Sequence, residues 1–583
     1  MKAMTYSFNL ISEKWIPCRL LSSPFIELKS LEDVLLESHA IREIVGDAPP
    51  VTIALYRLLL AVVHRALGPL PMSSFGRDWE TVWNAEAFDA KRIKNYLHDE
   101  MIYSRFDLFD EQYPFYQTVS IPEPISGKDS VAKLFFQMDS NKTVFNHSLV
   151  KDPPSLTAGS AACWLIAFQA FDVSGTRGTE KGQVTVSTAP LVQSAVGLAR
   201  GKNLFETLML NLYWDDKEFF RNFGQSGSKD KPAWERGMIV NAETREPTGY
   251  IDLLTWQSRR IRLRCERGGN GEQVVRHARV WDGQYLPANY ERTGKETMVA
   301  FKKLLKPSKN DSAKQGKSES PIGIRQDKAV WRDSYALFHS TKGQNEKSLM
   351  LSWLNGLEAL EVLPNASIVP IDFFCLTTDG KKPTSWRHER LPLPLSYLKD
   401  ELLCDELRRA LKVSESIAKV LVASVRRLTT LLLYLPDCHL ENPTWFSPLL
   451  KQKAREEAEE QQKKIESKKK RELPQVIDKR VKTFAPEMRY WSRLEDEFRR
   501  VLVALARDFN LWAEQRERWA KVLERVALHA FNEIAIGLGQ STRTLRAVAI
   551  AEHWLKAEMG LRKKKYLASE EIEEENQEGG DEE

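Results

Sequence analysis

The chain has 583 residues, 42% of them apolar, with 16 Trp and 25 Phe; this exceeds what one hydrophobic core holds, so at least two domains are expected and a wholly disordered chain is excluded. The six cysteines, Cys18, Cys163, Cys265, Cys375, Cys404 and Cys438, form no CxxC pair and no zinc-finger spacing, which predicts free thiols in a reducing compartment and no bound metal. The net charge of +5 becomes +14 for residues 1–569 once the nine acidic residues of the 570–583 tail are set aside, so the body attracts polyanions and the tail reads as disordered and solvated.

No run approaches the ~18–20 uninterrupted apolar residues of a bilayer span. The N-terminal MKAMTYSFNLISEKW lacks the apolar core and cleavage site of a signal peptide. The expectation is a cytoplasmic protein with no membrane partner.

In chain order, Ser30 to Ala66 reads as two helices broken at Pro49-Pro50, with Ser30 and Asp33 as the N-cap pair and Leu55, Leu58, Leu59, Val62 and Val63 as an apolar face. Thr157 to Phe171 reads as a helix capped by Ser155 or Thr157, running into a loop at Gly175-Thr-Arg-Gly178. Ile251 to Arg264 reads as a strand that forms a hairpin with VVRHARVW across the turn ERGGNGEQ. Lys302 to Lys328 carries eight basic and three acidic residues and reads as a mobile basic loop or linker. From about Ser396 the pattern is helical: Leu494, Phe498, Val501, Leu502 and Leu505 mark one face, and Leu545, Val548, Ala549 and Leu555 a last long helix. The fold class expected is α+β: a mixed α/β domain over 1–390, a four-helix bundle over 391–569 with a charged insert near 450–483, and the acidic tail.

Catalytic signatures are missing. No GxxxxGK[ST] phosphate cradle exists; Arg292-Thr-Gly-Lys-Glu-Thr297 lacks the first Gly, and GLGQST at 537–542 follows no strand and reads as a helix interruption. No HxH, HExxH or GxSxG spacing occurs, and His147 and His388 stand alone. The reading is a binding protein without cofactor, not an enzyme.

Five stretches then occur in order. Phe8–Pro17 (FNLISEKWIP) reads as a strand followed by a Trp-Ile-Pro turn, and Phe106–Gln117 (FDLFDEQYPFYQ) as a buried aromatic loop. Leu253–Leu263 (LLTWQSRRIRL) begins an arginine strand with Arg260, Arg262 and Arg264 on one face. Ala329–Ser334 (AVWRDS) and Tyr490–Phe498 (YWSRLEDEF) complete the set. From about residue 5 to about 560 this ordered set resembles the large-subunit (CasA) family of Cascade, the type I-E CRISPR surveillance complex.

The resemblance implies partners: other Cascade subunits, a CRISPR guide RNA, double-stranded target DNA and a separate helicase-nuclease. It implies that the subunit inspects duplex DNA for a short adjacent motif (the PAM), helps start strand separation and R-loop formation, and docks the nuclease. It also implies sites. A loop near 140–148 would touch the guide-RNA handle and PAM region through Lys142, Phe145, Asn146 and His147, with Phe145 alternatively plugging a pocket. A glycine loop, Gly175, Thr176, Arg177 and Gly178, would lie against the minor groove, or serve only as a helix cap and turn. A β-hairpin over 376–383 would wedge under the PAM with Thr378, Asp379, Gly380, Lys381 and Lys382. Gly380 stands where many relatives carry Gln, so Lys381 or Lys382 takes over or the register shifts by one. A PAM-contacting Lys falls among Lys295, Lys302 and Lys303, and Lys302, Lys303 and Lys306 fit duplex phosphates. A structural scaffold without DNA readout and a nuclease of unfamiliar fold are the competing readings.

Overall fold

The structure is a computed structural model; it describes residues 6–68, 77–135, 153–213, 229–269, 271–303, 319–324, 329–339, 345–359, 361–364, 367–379, 382–434 and 474–568. The chain divides into two units, Met1–Lys399 and Asp400–Glu583. The strand Pro383–Pro394 runs through residue 390, so the first unit continues past the boundary read from the sequence.

The first unit is built around the helix Pro49–Leu67. Its proline pair occupies the first helical turn, where no intrahelical N–H is needed. Ser30 and Asp33 form the expected capping box on the short helix Leu31–Leu36. A strand, Ile41–Ile44, separates the two helices. The expected apolar face of Pro49–Leu67 is only part of what is buried, because Tyr56, Arg57, Leu60 and Ala61 are buried too. This helix is long and apolar enough to cross a bilayer, but most of it is packed inside the protein. The helix Ala158–Phe171, capped by Thr157, is also buried nearly all round.

A three-stranded antiparallel sheet has Ile16–Leu20 at its centre, between Ile26–Lys29 and Ile41–Ile44. Here the sequence reading is reversed: a turn over 10–13 comes first and the strand starts at Ile16, because the Trp15 indole donates back to Leu10 O (2.8 Å) and closes the turn. The aromatic loop is buried as expected at Phe106, Phe115 and Tyr116, with Tyr113 exposed.

A second sheet pairs Gln273–Asp282 with Arg259–Arg267 and, on its other side, with Leu156–Thr157 and Gly175–Thr179, the last followed by Gly182–Val186. The arginine strand starts at Arg259, not Ile251. Residues Tyr250–Leu254 form a short helix because Asp230 accepts from the Ile251 and Asp252 amides at its start. A third sheet orders Pro383–Pro394, Ile368–Thr378 and Val196–Ala199, all antiparallel. A small fourth sheet centres on Phe301–Lys303, between Glu319–Pro321 and Asn345–Glu346. Lys302 and Lys303 are therefore strand residues, not part of a linker; Lys306 lies outside the described residues.

The second unit is helical. Glu401–Tyr434, Glu495–Arg507, Trp512–Ile536 and Thr542–Leu567 are its long helices, with 474–484 and Pro486–Trp491 between the first two. Polar ties fix the packing: Trp519 Nε1 donates to Ala410 O (3.1 Å), Tyr490 Oη to Ser414 O (3.1 Å) and Ser424 Oγ to Ala551 O (2.8 Å). Leu494, Phe498, Val501, Leu502 and Leu505 are buried as expected. The last helix is rotated from the reading: Thr544, Ala547, Ala551, Leu555 and Met559 face inward, while Leu545 is 56% exposed. Small residues at 547 and 551 allow the close approach to Ser424. GLGQST is the interruption expected, with Ser541 capping the last helix. Residues 435–473 and 569–583, which include Cys438, most of the charged insert and the acidic tail, lie outside the described residues.

Candidate nucleic-acid interface

The described residues among those expected to touch nucleic acid fall on three elements, and one connecting segment, 187–195, is tied to or beside all three. The strand Gly182–Val186 runs directly into it. Ala189 N donates to Asp172 O (2.8 Å) and Ala195 N to Ile322 O (2.8 Å), beside the strand that pairs with Phe301–Lys303. Gln193 makes the third tie: its backbone N–H donates to Leu376 O and its side chain to Thr378 O, both at 3.0 Å. Gln193 holds φ at +62°, a left-handed conformation for a non-glycine residue.

Gly175–Gly178 is the first strand of a hairpin, not a loop. Gly182, at φ +121°, makes its turn. The glycine at 178 has an internal reason: a Cβ there would stand 2.3 Å from Trp281 Nε1, across the Gly178–Trp281 bridge. Gly178→Ala is expected to destabilise the first unit by about 1–3 kcal/mol through overpacking. Adding Trp281→Leu should restore most of the loss, and an unchanged denaturation midpoint in the single variant would count against this packing role.

Arg177 does not reach outward. Its guanidinium donates to the buried Asp172 carboxylate (2.6 and 3.2 Å), which also accepts from Arg259 Nε (2.6 Å). The exposed side chains of this hairpin are Thr176, Glu180, Lys181, Gln183, Val184 and Thr185. Arg260, Arg262 and Arg264 share a face, as expected, but it is an ion-paired one. Arg260 is buried against Asp282 and Glu180, Arg262 bonds Glu123 and Arg264 bonds Glu266.

The expected wedge is a hairpin, Ile368–Thr378 and Pro383–Pro394, with residues 379–382 at its tip. Asp379 and Lys382 close the turn, Lys382 N donating to Asp379 Oδ1 (2.7 Å) and Asp379 N to Lys382 O (3.1 Å). Gly380 and Lys381 lie outside the described residues, as do Lys142, Phe145, Asn146 and His147. The hairpin base is tied down by charge. Buried Asp372 accepts from Arg390 (2.6 and 2.8 Å), with Arg200 Nε at 3.4 Å and His388 Nε2 at 3.3 Å. Arg200 continues to Glu43 (2.9 Å), which also pairs with Arg19 (2.7 Å). Burial opposes the Asp372 charge, but the hydrogen bonds from Arg390 and His388 and the charge of Arg200 outweigh it and hold the carboxyl at about 2.

Lys302 and Lys303 are exposed on their strand. Lys295, the alternative, sits over the Tyr290 ring at 4.1 Å. The Arg292–Thr297 motif is a turn: Thr293 donates to Glu319 and Glu296 pairs with Arg57. Burial pushes the Cys18 thiol up to about 12 and that of Cys375 up to about 11, which suits packing and not nucleophilic chemistry. Among the described residues no group of three or more His, Cys, Asp or Glu is placed to hold a metal ion. Sequence reasoning missed Gln193 and Asp372, since neither lies in a motif. Only the isolated acid in the apolar run IVPIDFFCL hinted at a buried ion pair.

Comparison with known proteins places this architecture among CRISPR-associated proteins. The chain is 26% identical over 565 residues to CasA/Cse1 of Thermus thermophilus, covering 94% of this chain and 96% of that one. Its fold matches Cse1 of Thermobifida fusca with a TM-score of 0.74 at 20% identity, covering 97% and 99% of the two chains. It also matches a chain of a CRISPR RNA-guided surveillance complex with a TM-score of 0.67 at 18% identity, covering 94% and 99%. The profile of the CRISPR-associated protein Cse1 family matches residues 9–530, and the chain belongs to that family.

Proposed function

We propose that this chain is the large subunit of a guide-RNA-directed surveillance complex in the cytoplasm, and that it inspects duplex DNA for a PAM without cutting it. The observation that carries this reading is the convergence on 187–195 of the Gly175–Val186 hairpin, the Lys302–Lys303 strand and the 379–382 tip. One segment thus sets the spacing of a basic strand against a hairpin end bearing Lys382. The similarity in fold to a chain of an RNA-guided surveillance complex supports assembly with guide RNA and sibling subunits. In this reading guide pairing reads sequence while the protein reads only the short motif, and minor-groove readout makes it tolerant of related motifs. Duplex opening at the hairpin and docking of a helicase-nuclease follow as later steps of the same subunit, with no chemistry of its own.

The test is a division of labour, measured on the assembled complex. Replacing Lys302, Lys303 and Lys306 by Ala should weaken every duplex alike and lower the salt slope of log K by about 0.9 for each phosphate no longer neutralised. Replacing the 379–382 tip should instead shrink the ratio between PAM-bearing and PAM-free duplex. Equal effects of both sets on all duplexes would refute the assignment, and no effect of either would favour a scaffold.

A further inference from the structure

Beyond the tip, the shaft of the Ile368–Pro394 hairpin carries a second feature. On the strand Pro383–Pro394, Trp386, His388 and Arg390 alternate onto one side, and this strand lies at an edge of its sheet. His388 is held as a platform. One face of its ring lies on Phe374, with centroids 4.5 Å apart and planes 4° from parallel. Its Nε2 is 3.3 Å from Asp372, and the side chain is still 41% exposed. Phe374 beneath it is buried. Trp386, partly exposed and two residues nearer the tip, shares that side about 6.8 Å along the strand. Residues 379–390 hold four basic and two acidic side chains besides His388, with Arg387 paired to Glu389 and Arg390 to Asp372.

We infer that Trp386 and His388 form a stacking platform for unpaired nucleobases, so that the outer edge of this hairpin binds single-stranded nucleic acid. The ordering of His388 by Phe374 and Asp372 is complete before any ligand arrives, which removes the entropy of fixing the ring. Stacking on an aromatic face tolerates any base, so the platform carries no sequence preference. Duplex bases, already stacked on each other, offer it no free face. The inference rests on the proposed function, in which this hairpin lies where strands part, and it names what the shaft does once they have.

The test uses the full chain with two probes, a twelve-nucleotide oligo(dT) and a PAM-bearing duplex, titrated by fluorescence anisotropy. Trp386→Leu should weaken oligo(dT) binding about tenfold and His388→Ala about fivefold, in the range of one base–aromatic stack. Duplex affinity should stay within about twofold, and Trp386→Phe should keep most of the single-strand affinity. Because the duplex arm reports an intact surface, misfolding of Trp386→Leu cannot imitate the expected result. Unchanged oligo(dT) binding, equal loss on both probes, or no oligo(dT) binding by the unaltered chain overturns the platform. If the unaltered chain discriminates PAM duplexes while Trp386→Leu leaves single-strand binding intact, only the platform falls. Loss of PAM discrimination itself would instead strike the proposed function.

Discussion

Glu296→Ala is expected to lower the stability of the first unit by about 3–5 kcal/mol, because it strands a buried guanidinium. Arg57 lies inside the Pro49–Leu67 helix, and the two side chains are 4% and 2% exposed. Arg57 donates to both Glu296 oxygens (2.7 and 3.2 Å) and to Leu253 O (3.2 Å). Removing the carboxylate leaves the helix, the 292–297 turn and the 250–254 helix joined by an unpaired buried cation. Urea denaturation followed on the first unit reads the loss. Replacing both members, Arg57→Met with Glu296→Leu, should recover much of it, since two apolar groups restore the packing without the stranded charge. A single variant within about 1 kcal/mol of the parent would contradict this view of the core.

Asp372→Asn is the second large effect, expected at about 2 kcal/mol near neutral pH. The carboxyl is held at about 2 in the folded chain, below its ordinary value near 4. A depressed folded value means that the charge stabilises above about pH 4 and that this contribution is lost as the pH falls toward 2. The difference between parent and Asp372→Asn should therefore be constant above about pH 5 and close as the pH drops to about 2. Denaturation at stepped pH measures it. A gap that widens on acidification would contradict the assignment. Since Arg390 and Arg200 both lean on Asp372, the variant should also loosen the hairpin base, seen as faster hydrogen exchange along Ile368–Thr378.

The elements with local signals were legible in the sequence. The capping box at Ser30, the Pro-initiated helix, the Leu494–Leu505 face and the hairpin around 379–382 depend on residues within a few positions of each other. What was not legible depends on partners far along the chain. Arg260, Arg262 and Arg264 read as a basic stripe but meet acids at 282, 180, 123 and 266. Gly178 reads as permissive backbone for DNA, yet the atom it makes room for is on Trp281. Arg177 reads as a free cation, yet it shares Asp172 with Arg259. On the last helix Leu545 looks like core by hydropathy, but close packing selects the smaller Ala547 and Ala551 instead. The candidate interface was thus legible at its basic and turn residues and hidden at Gln193, whose two bonds to Leu376 and Thr378 need the folded chain.

In the proposed function the 379–382 tip meets the PAM. A photoreactive side chain placed at Lys382, in the complex assembled with guide RNA and a PAM-bearing duplex, tests it most directly. Crosslinks are expected to the PAM base pairs and the first nucleotides beside them, reduced when the PAM is scrambled. Crosslinks confined to a neighbouring protein subunit, or to DNA without regard to the PAM, would contradict it.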